Sequence, residues 1–146
     1  MNKLLFTMLT SFLMVLIVGC GSDKQSSHSS VMARSCPLKF SSASLCSEIK
    51  WVNGPTVDGE SSFTVTFWSD KNGASEGPWA EPSAQVGAFI RMTCCGSVFF
   101  PKVTRVEDGK YLVSNVKFTP GNWEVYVQLK NGEAVEKQFI TIKLED

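Results

Sequence analysis

The stretch with the most chemistry in it is Met92-Thr93-Cys94-Cys95-Gly96-Ser97. Three sulfur atoms fall within four residues. Thiolate and thioether are soft ligands, and soft ligands select Cu(I). Met92, Cys94 and Cys95 are therefore the candidate metal-ligating residues, with Cu(I) as the candidate cofactor. Zinc suits the stretch less well: a structural zinc site takes four Cys or His ligands, and the sole histidine, His28, lies far upstream. Successive side chains of a regular strand point to opposite faces. Cys94 and Cys95 can share one ion only if the backbone turns there, and Gly96-Ser97 supplies a turn.

Those two cysteines belong to a set of five, with Cys20, Cys36 and Cys46. Setting Cys20 aside leaves an even number, and four cysteines allow three complete pairings. Cys36, Cys46, Cys94 and Cys95 are all disulfide candidates. Cross-links from Cys36 and Cys46 to Cys94 and Cys95 would pin the N-terminal segment to the domain. A Cys36–Cys46 bond would close a loop of about ten residues and stabilise by about 2.7 kcal/mol in the chain-entropy model. A bond between Cys94 and Cys95 would be strained. Adjacent Cα atoms are about 3.8 Å apart, whereas ordinary disulfides span about 4.4–6.8 Å.

The elements that position this stretch read as strands. Ile49 and Trp51 alternate with polar residues, and Asn53-Gly54-Pro55 ends the run. Ser62 to Ser69 sets Phe63, Val65 and Phe67 against Thr64, Thr66 and Trp68, the period of two that marks a strand. Asp70-Lys71-Asn72-Gly73 has turn chemistry. A long connection follows, from Ala74 to Gln85; loops of this length are often functional. Its Trp79 either marks a binding surface or folds over the edge of the core.

Val86 to Met92 alternates again. Val98 to Val106 is β-like but holds Pro101, which cannot donate to a ladder and so belongs at an edge or bulge. Glu107-Asp108-Gly109 predicts a hairpin turn into Lys110–Phe118, whose period slips at Ser114-Asn115 as at a bulge. Thr119-Pro120-Gly121-Asn122 has the order of a type II turn. Trp123, Val125, Val127 and Leu129 alternate cleanly, Asn131-Gly132 turns the chain, and Gln138 to Leu144 closes it. About seven short strands with turn signals roughly every ten residues predict an all-β fold, an antiparallel β-sandwich of immunoglobulin-like type.

The N-terminus has a different character. Lys3 precedes an apolar run from Leu4 to Val18, and a Ser-rich polar segment follows Cys20. A positive start, a short apolar core and a small residue at the end make a secretory signal. The run is about 15 residues, short of the roughly 20 needed to span a membrane. Ile17-Val18-Gly19-Cys20 resembles the lipobox of bacterial lipoproteins. That resemblance implies cleavage before Cys20 and acylation of its sulfur and its new amino group, and hence a lipid membrane as partner. Two or more acyl chains hold a protein stably where one does not. Position 21 is Gly and not Asp, which in lipoproteins of Gram-negative type favours the outer membrane, so the resemblance implies an anchor there, facing the periplasm. The expected organisation is residues 1–19 as signal peptide, 20–35 as lipidated cysteine and spacer, and 36–146 as one sandwich domain.

The formal net charge is zero, with no basic stripe, so nucleic acid is not an expected partner. An envelope protein partner is compatible with everything above. No Gly-x-Ser-x-Gly, His-Glu-x-x-His, Cys-x-x-Cys or phosphate-cradling glycine loop occurs. A nucleophilic cysteine needs a base or a positive environment, and the domain has no histidine. The chain reads as a binding module and not as an enzyme.

The span from Ser62 to Leu144 is similar to the YtkA-like family, small periplasmic immunoglobulin-like domains associated with copper handling. The matching residues are Phe63-Thr64-Val65-Thr66-Phe67, then Asp108-Gly109-Lys110-Tyr111, then Phe118-Thr119-Pro120-Gly121-Asn122-Trp123-Glu124-Val125. They are core and turn positions over about 80 residues. Members often carry a Met-rich run ending in Met-Gly-His-Gly-Ser after the strand that matches Val86–Met92. In this chain Gly96 and Ser97 fit that ending, while Cys94 and Cys95 stand in place of the glycine and histidine. The departure either exchanges one soft-ligand set for another or gives up the metal for a disulfide. A structural or protein-interaction lipoprotein with every domain cysteine in a disulfide is the competing reading.

Overall fold

The structure is a computed structural model and describes residues 35–71 and 78–145. The expected signal peptide, Cys20, His28 and most of the spacer lie outside the described residues, as do Asn72 and Gly73 of the expected turn. Nine strands are present among the described residues: β1 (Leu38–Phe40), β2 (Leu45–Asn53), β3 (Glu60–Ser69), β4 (Gln85–Met92), β5 (Val98–Phe99), β6 (Lys102–Glu107), β7 (Lys110–Lys117), β8 (Gly121–Asn131) and β9 (Ala134–Leu144). They form two antiparallel sheets, ordered β1-β2-β3-β7-β6 and β5-β4-β8-β9. Within the first sheet β2-β3-β7-β6 follows the A-B-E-D order of an immunoglobulin domain, and β4-β8-β9 follows C-F-G. The chain is thus an all-β sandwich of immunoglobulin-like type. Beyond the seven strands of that plan it has a three-residue strand β1 and a two-residue strand β5.

Alternation explains which faces meet. In β8, Trp123, Val125, Val127 and Leu129 are buried while Glu124, Tyr126 and Gln128 face outward. In β3, Phe63, Val65 and Phe67 are fully buried from the other side. Ile90, Val113 and Val116 complete the centre of the core. Four aromatic side chains close one end: Trp51 meets Phe63 at 5.1 Å and Phe118 at 6.0 Å, and Phe118 meets Trp123 at 5.4 Å. The Trp123 indole N–H donates to the carbonyl of Thr119 at 2.8 Å, so its one polar atom is satisfied.

The irregularities fall where backbone chemistry demands them. Val113 pairs with Phe63 and Val116 with Ser61, so Ser114 and Asn115 oppose one residue of β3. Asn115 takes a left-handed φ of 60° in that bulge, a conformation asparagine tolerates better than most residues. Pro101 lies between β5 and β6, where the chain leaves one sheet for the other and no ladder donor is needed. The Val98–Val106 stretch is accordingly two strands in two sheets.

Cys36 and Cys46 form a disulfide that ties the start of the described chain to β2. The cross-links to Cys94 and Cys95 that the sequence also allowed are not made, and both of those cysteines are free and exposed. The hairpin between β6 and β7 is fastened by Glu81. Its carboxylate accepts from the Tyr111 hydroxyl at 2.6 Å, the Gly109 N–H at 2.5 Å and the Arg105 guanidinium at 2.9 Å. Burial pushes the Glu81 carboxyl up, but the Gly109 N–H, the Tyr111 hydroxyl and Arg105 outweigh it and hold it below its ordinary value. Burial and the facing carboxylate push the Tyr111 hydroxyl up to about 12.

Candidate functional site

The sulfur-bearing stretch is the turn between β4 and β5. Strand β4 ends at Met92, whose backbone pairs with Trp123 of β8. The Gly96 N–H donates back to the Met92 carbonyl at 2.9 Å, and the Met92 N–H donates to the Ser97 carbonyl at 2.9 Å. Gly96 reverses the chain with φ of +72°, in open space, a conformation glycine adopts at no steric cost. A second pair of bonds fixes the turn to β8: the Thr93 N–H and hydroxyl donate to the Asn122 carbonyl at 3.0 and 3.2 Å.

This geometry defeats the strand alternation that would separate neighbouring side chains. The Sγ atoms of Cys94 and Cys95 lie 3.3 Å apart. Cys95 Sγ is 3.6 Å from Met92 Sδ and 3.6 Å from the Ser97 hydroxyl. Every residue from Thr93 to Phe100 is exposed, so the cluster sits at the surface. Met92 is half-buried, its methyl group above Gly121.

The two thiols are not equivalent. The hydrogen bond with Cys95 pushes the Cys94 thiol up. The Ser97 hydroxyl, then Cys94, then the Ser97 N–H pull the Cys95 thiol down. Cys95 is therefore the first of the pair to become a thiolate, the form that ligates metals and attacks electrophiles.

The donor set fits a soft ion of low coordination number. With a metal–thiolate bond of about 2.3 Å, three sulfurs around one ion stand roughly 4 Å apart. Cys95 Sγ stands 3.3 Å from Cys94 Sγ and 3.6 Å from Met92 Sδ, so each of these two pairs needs to spread by less than about 1 Å to reach that spacing, a change small rotamer adjustments can supply. Cys94, Cys95 and the Met92 thioether are the groups that would hold Cu(I). Among the described residues no group of three or more His, Cys, Asp or Glu gathers, so any three-ligand site in this region relies on the methionine.

Other sequence candidates lie elsewhere. Trp79 is half-buried on the outer face of the first sheet, in a shallow depression with Glu48, Lys50, Thr64, Thr66 and Lys110. Cys36 and Cys46 are consumed by their disulfide. A cleft of about 400 Å³ opens beside Ser42, Ala84, Leu129 and Val135, at the far end of β8 from Met92. Its carboxylate, Glu136, is satisfied by the Ser41 and Ser42 N–H groups and the Ser42 hydroxyl.

Gly121 and Asn122 are parts of the site that sequence reasoning did not assign to it, and Ser97, read there only as part of the turn, also contacts the Cys95 thiol. Ser97 carried a weak signal, two residues past a cysteine at the foot of a turn. Asn122 acts through its backbone carbonyl, which no side-chain pattern reveals.

Comparison with models of known protein families and with curated proteins gave no match to this chain.

Proposed function

We propose that this protein is a lipid-anchored lipoprotein of the cell envelope whose sandwich serves as a binding module for Cu(I). In this reading the Cys94 and Cys95 thiolates are the principal ligands and the Met92 thioether the third. The observation that carries it is the gathering of three sulfur atoms on one exposed, hydrogen-bonded turn. The resemblance to the YtkA-like family bears on the fold through the core and turn residues quoted above, and at the turn itself Cys94 and Cys95 replace that family's glycine and histidine with a soft donor pair. Anchoring rests on the lipobox-like Ile17-Val18-Gly19-Cys20. Cu(I) supplies no acid–base chemistry here; the role is binding and transfer.

The test is a competition titration of the reduced, detergent-solubilised protein against a chromophoric Cu(I) chelator. One Cu(I) per chain is expected, lost in Cys94→Ser and in Cys95→Ser and weakened in Met92→Leu. Wild-type protein that takes no Cu(I) from the chelator overturns the metal reading. Anchoring is tested separately: Cys20→Ser abolishes incorporation of labelled palmitate.

A second reading, a protein-interaction lipoprotein, is favoured by one feature. Val98, Phe99 and Phe100 are exposed beside the sulfur turn, Phe100 at 70%, and residues 92–101 contain no charge. Such a surface suits an envelope protein partner.

A further inference from the structure

We infer that Cys94 and Cys95 form a vicinal dithiol that exchanges with external disulfides and closes reversibly into a Cys94–Cys95 bond. The site is the one assigned to Cu(I), but the inference stands on the geometry of the turn and goes beyond the metal reading.

Three observations carry it. The two Sγ atoms are 3.3 Å apart, so they need to approach by only about 1.3 Å to reach a disulfide bond length. Both cysteines and the residues from Thr93 to Phe100 are exposed, which leaves an external disulfide room to approach. The ends of the turn are held independently, by the Met92–Ser97 and Met92–Gly96 backbone bonds and by Thr93 on Asn122. Ring closure therefore changes the backbone at residues 94 and 95 without requiring β4 or β5 to part from their neighbours.

The exchange is balanced without any further reagent. The thiolate of one cysteine attacks a sulfur of the external disulfide. A mixed disulfide forms, the external S–S bond breaks, and the departing thiolate takes a proton from water. The neighbouring cysteine then gives up its proton and attacks the mixed disulfide from its own side. The Cys94–Cys95 bond forms and the second external thiolate leaves. Two electrons pass from the pair to the external disulfide, which ends as two thiols. An external dithiol drives the same steps backwards.

Adjacent Cα atoms span about 3.8 Å, less than an ordinary disulfide prefers. The closed ring is strained, and strained, exposed disulfides are the labile ones. Cys36–Cys46 has the opposite character, with Cys46 buried in the sandwich. Where Cu(I) is bound, closing the ring removes both thiolates and releases it.

The test uses the full-length protein in detergent, reduced, freed of metal with chelator, and exposed to oxidised glutathione. Remaining thiols are alkylated and the peptides weighed. The expected result is loss of two hydrogens from the peptide that contains Cys94 and Cys95. No glutathione is retained, and dithiothreitol reverses the loss while Cys36–Cys46 stays closed. Cys94→Ser and Cys95→Ser should each keep a glutathione adduct that wild type does not accumulate. Two persistent free thiols, a stable adduct on wild type, or oxidation only between two chains overturns the inference. The Cu(I) titration run in parallel separates the two ideas: absent metal uptake sinks only the copper reading, and absent ring closure sinks only the exchange.

Discussion

The methyl group of Met92 lies directly over Gly121, so near that a Cβ placed on Gly121 would stand 2.7 Å from it. Gly121 also has φ of +138°, a conformation side chains rarely adopt. The glycine that opens β8 is thus what allows the methionine to lie down beside Cys95. Gly121→Ala is expected to cost about 1–3 kcal/mol through strain at that φ, while the Met92 methyl, the far end of a flexible side chain, swings aside. Urea unfolding measures that cost. Displacement of Met92 should also weaken Cu(I) retention in the chelator competition, while Gly132→Ala, a left-handed glycine with open space around it, should leave retention unchanged.

Glu81 offers a prediction about pH. Its carboxyl is held below its ordinary value, with burial opposing and the Gly109 N–H, Tyr111 hydroxyl and Arg105 prevailing. A carboxyl lowered on folding contributes stability that is present above the unfolded value, about pH 4.3. That contribution fades as pH falls through the lower folded value. Glu81→Gln should therefore cost about 1–2 kcal/mol at neutral pH, a figure kept small because the side chain is partly exposed. The variant should also lose less stability than wild type on acidification. Denaturant midpoints at a series of pH values give both quantities, and parallel curves would contradict this account.

Ser97 sets the reactivity of its neighbour. The Ser97 hydroxyl is the largest influence lowering the Cys95 thiol. Ser97→Ala should let that thiol rise, leaving less thiolate at neutral pH. Iodoacetamide labelling of reduced, metal-free protein should slow at Cys95 near pH 7. The two proteins should converge well above the ordinary thiol value of about 8.5. Labelling that is identical at both pH values would remove Ser97 from the site.

The strands with full alternation were readable from the sequence: Phe63 to Phe67 and Trp123 to Leu129 sit where their period puts them. So were the breaks, since Pro101 lies at the sheet crossing and Ser114-Asn115 forms the bulge. Strand β1 has three residues and β5 two, too few to show a period. The first half of β9 was missed because Glu136 occupies the place of an inward apolar residue, its carboxylate used up by Ser41 and Ser42. The disulfide depended on pairing: Cys46 stands opposite Lys39 of β1, which brings the chain just before it, with Cys36, alongside. At the sulfur turn the residue types and the reversal at Gly96-Ser97 were legible, but the bonds that hold the turn were not. Those are the backbone bonds to Ser97 and Asn122.

One further arrangement lies on the outward face of the second sheet. Phe100 meets Phe89 at 5.9 Å, Phe89 stacks on Tyr126 at 4.4 Å with the rings 8° from parallel, and Tyr126 meets Phe139 at 4.9 Å. The row crosses from the residue after β5, through β4 and β8, to the edge strand β9. Its first ring is five positions along the chain from Cys95 and its third is the phenol of Tyr126. Four rings in mutual contact give this face a near-ultraviolet circular dichroism signal of its own, and a change in it on oxidation of the cysteines would report movement of Phe100 with no dye attached.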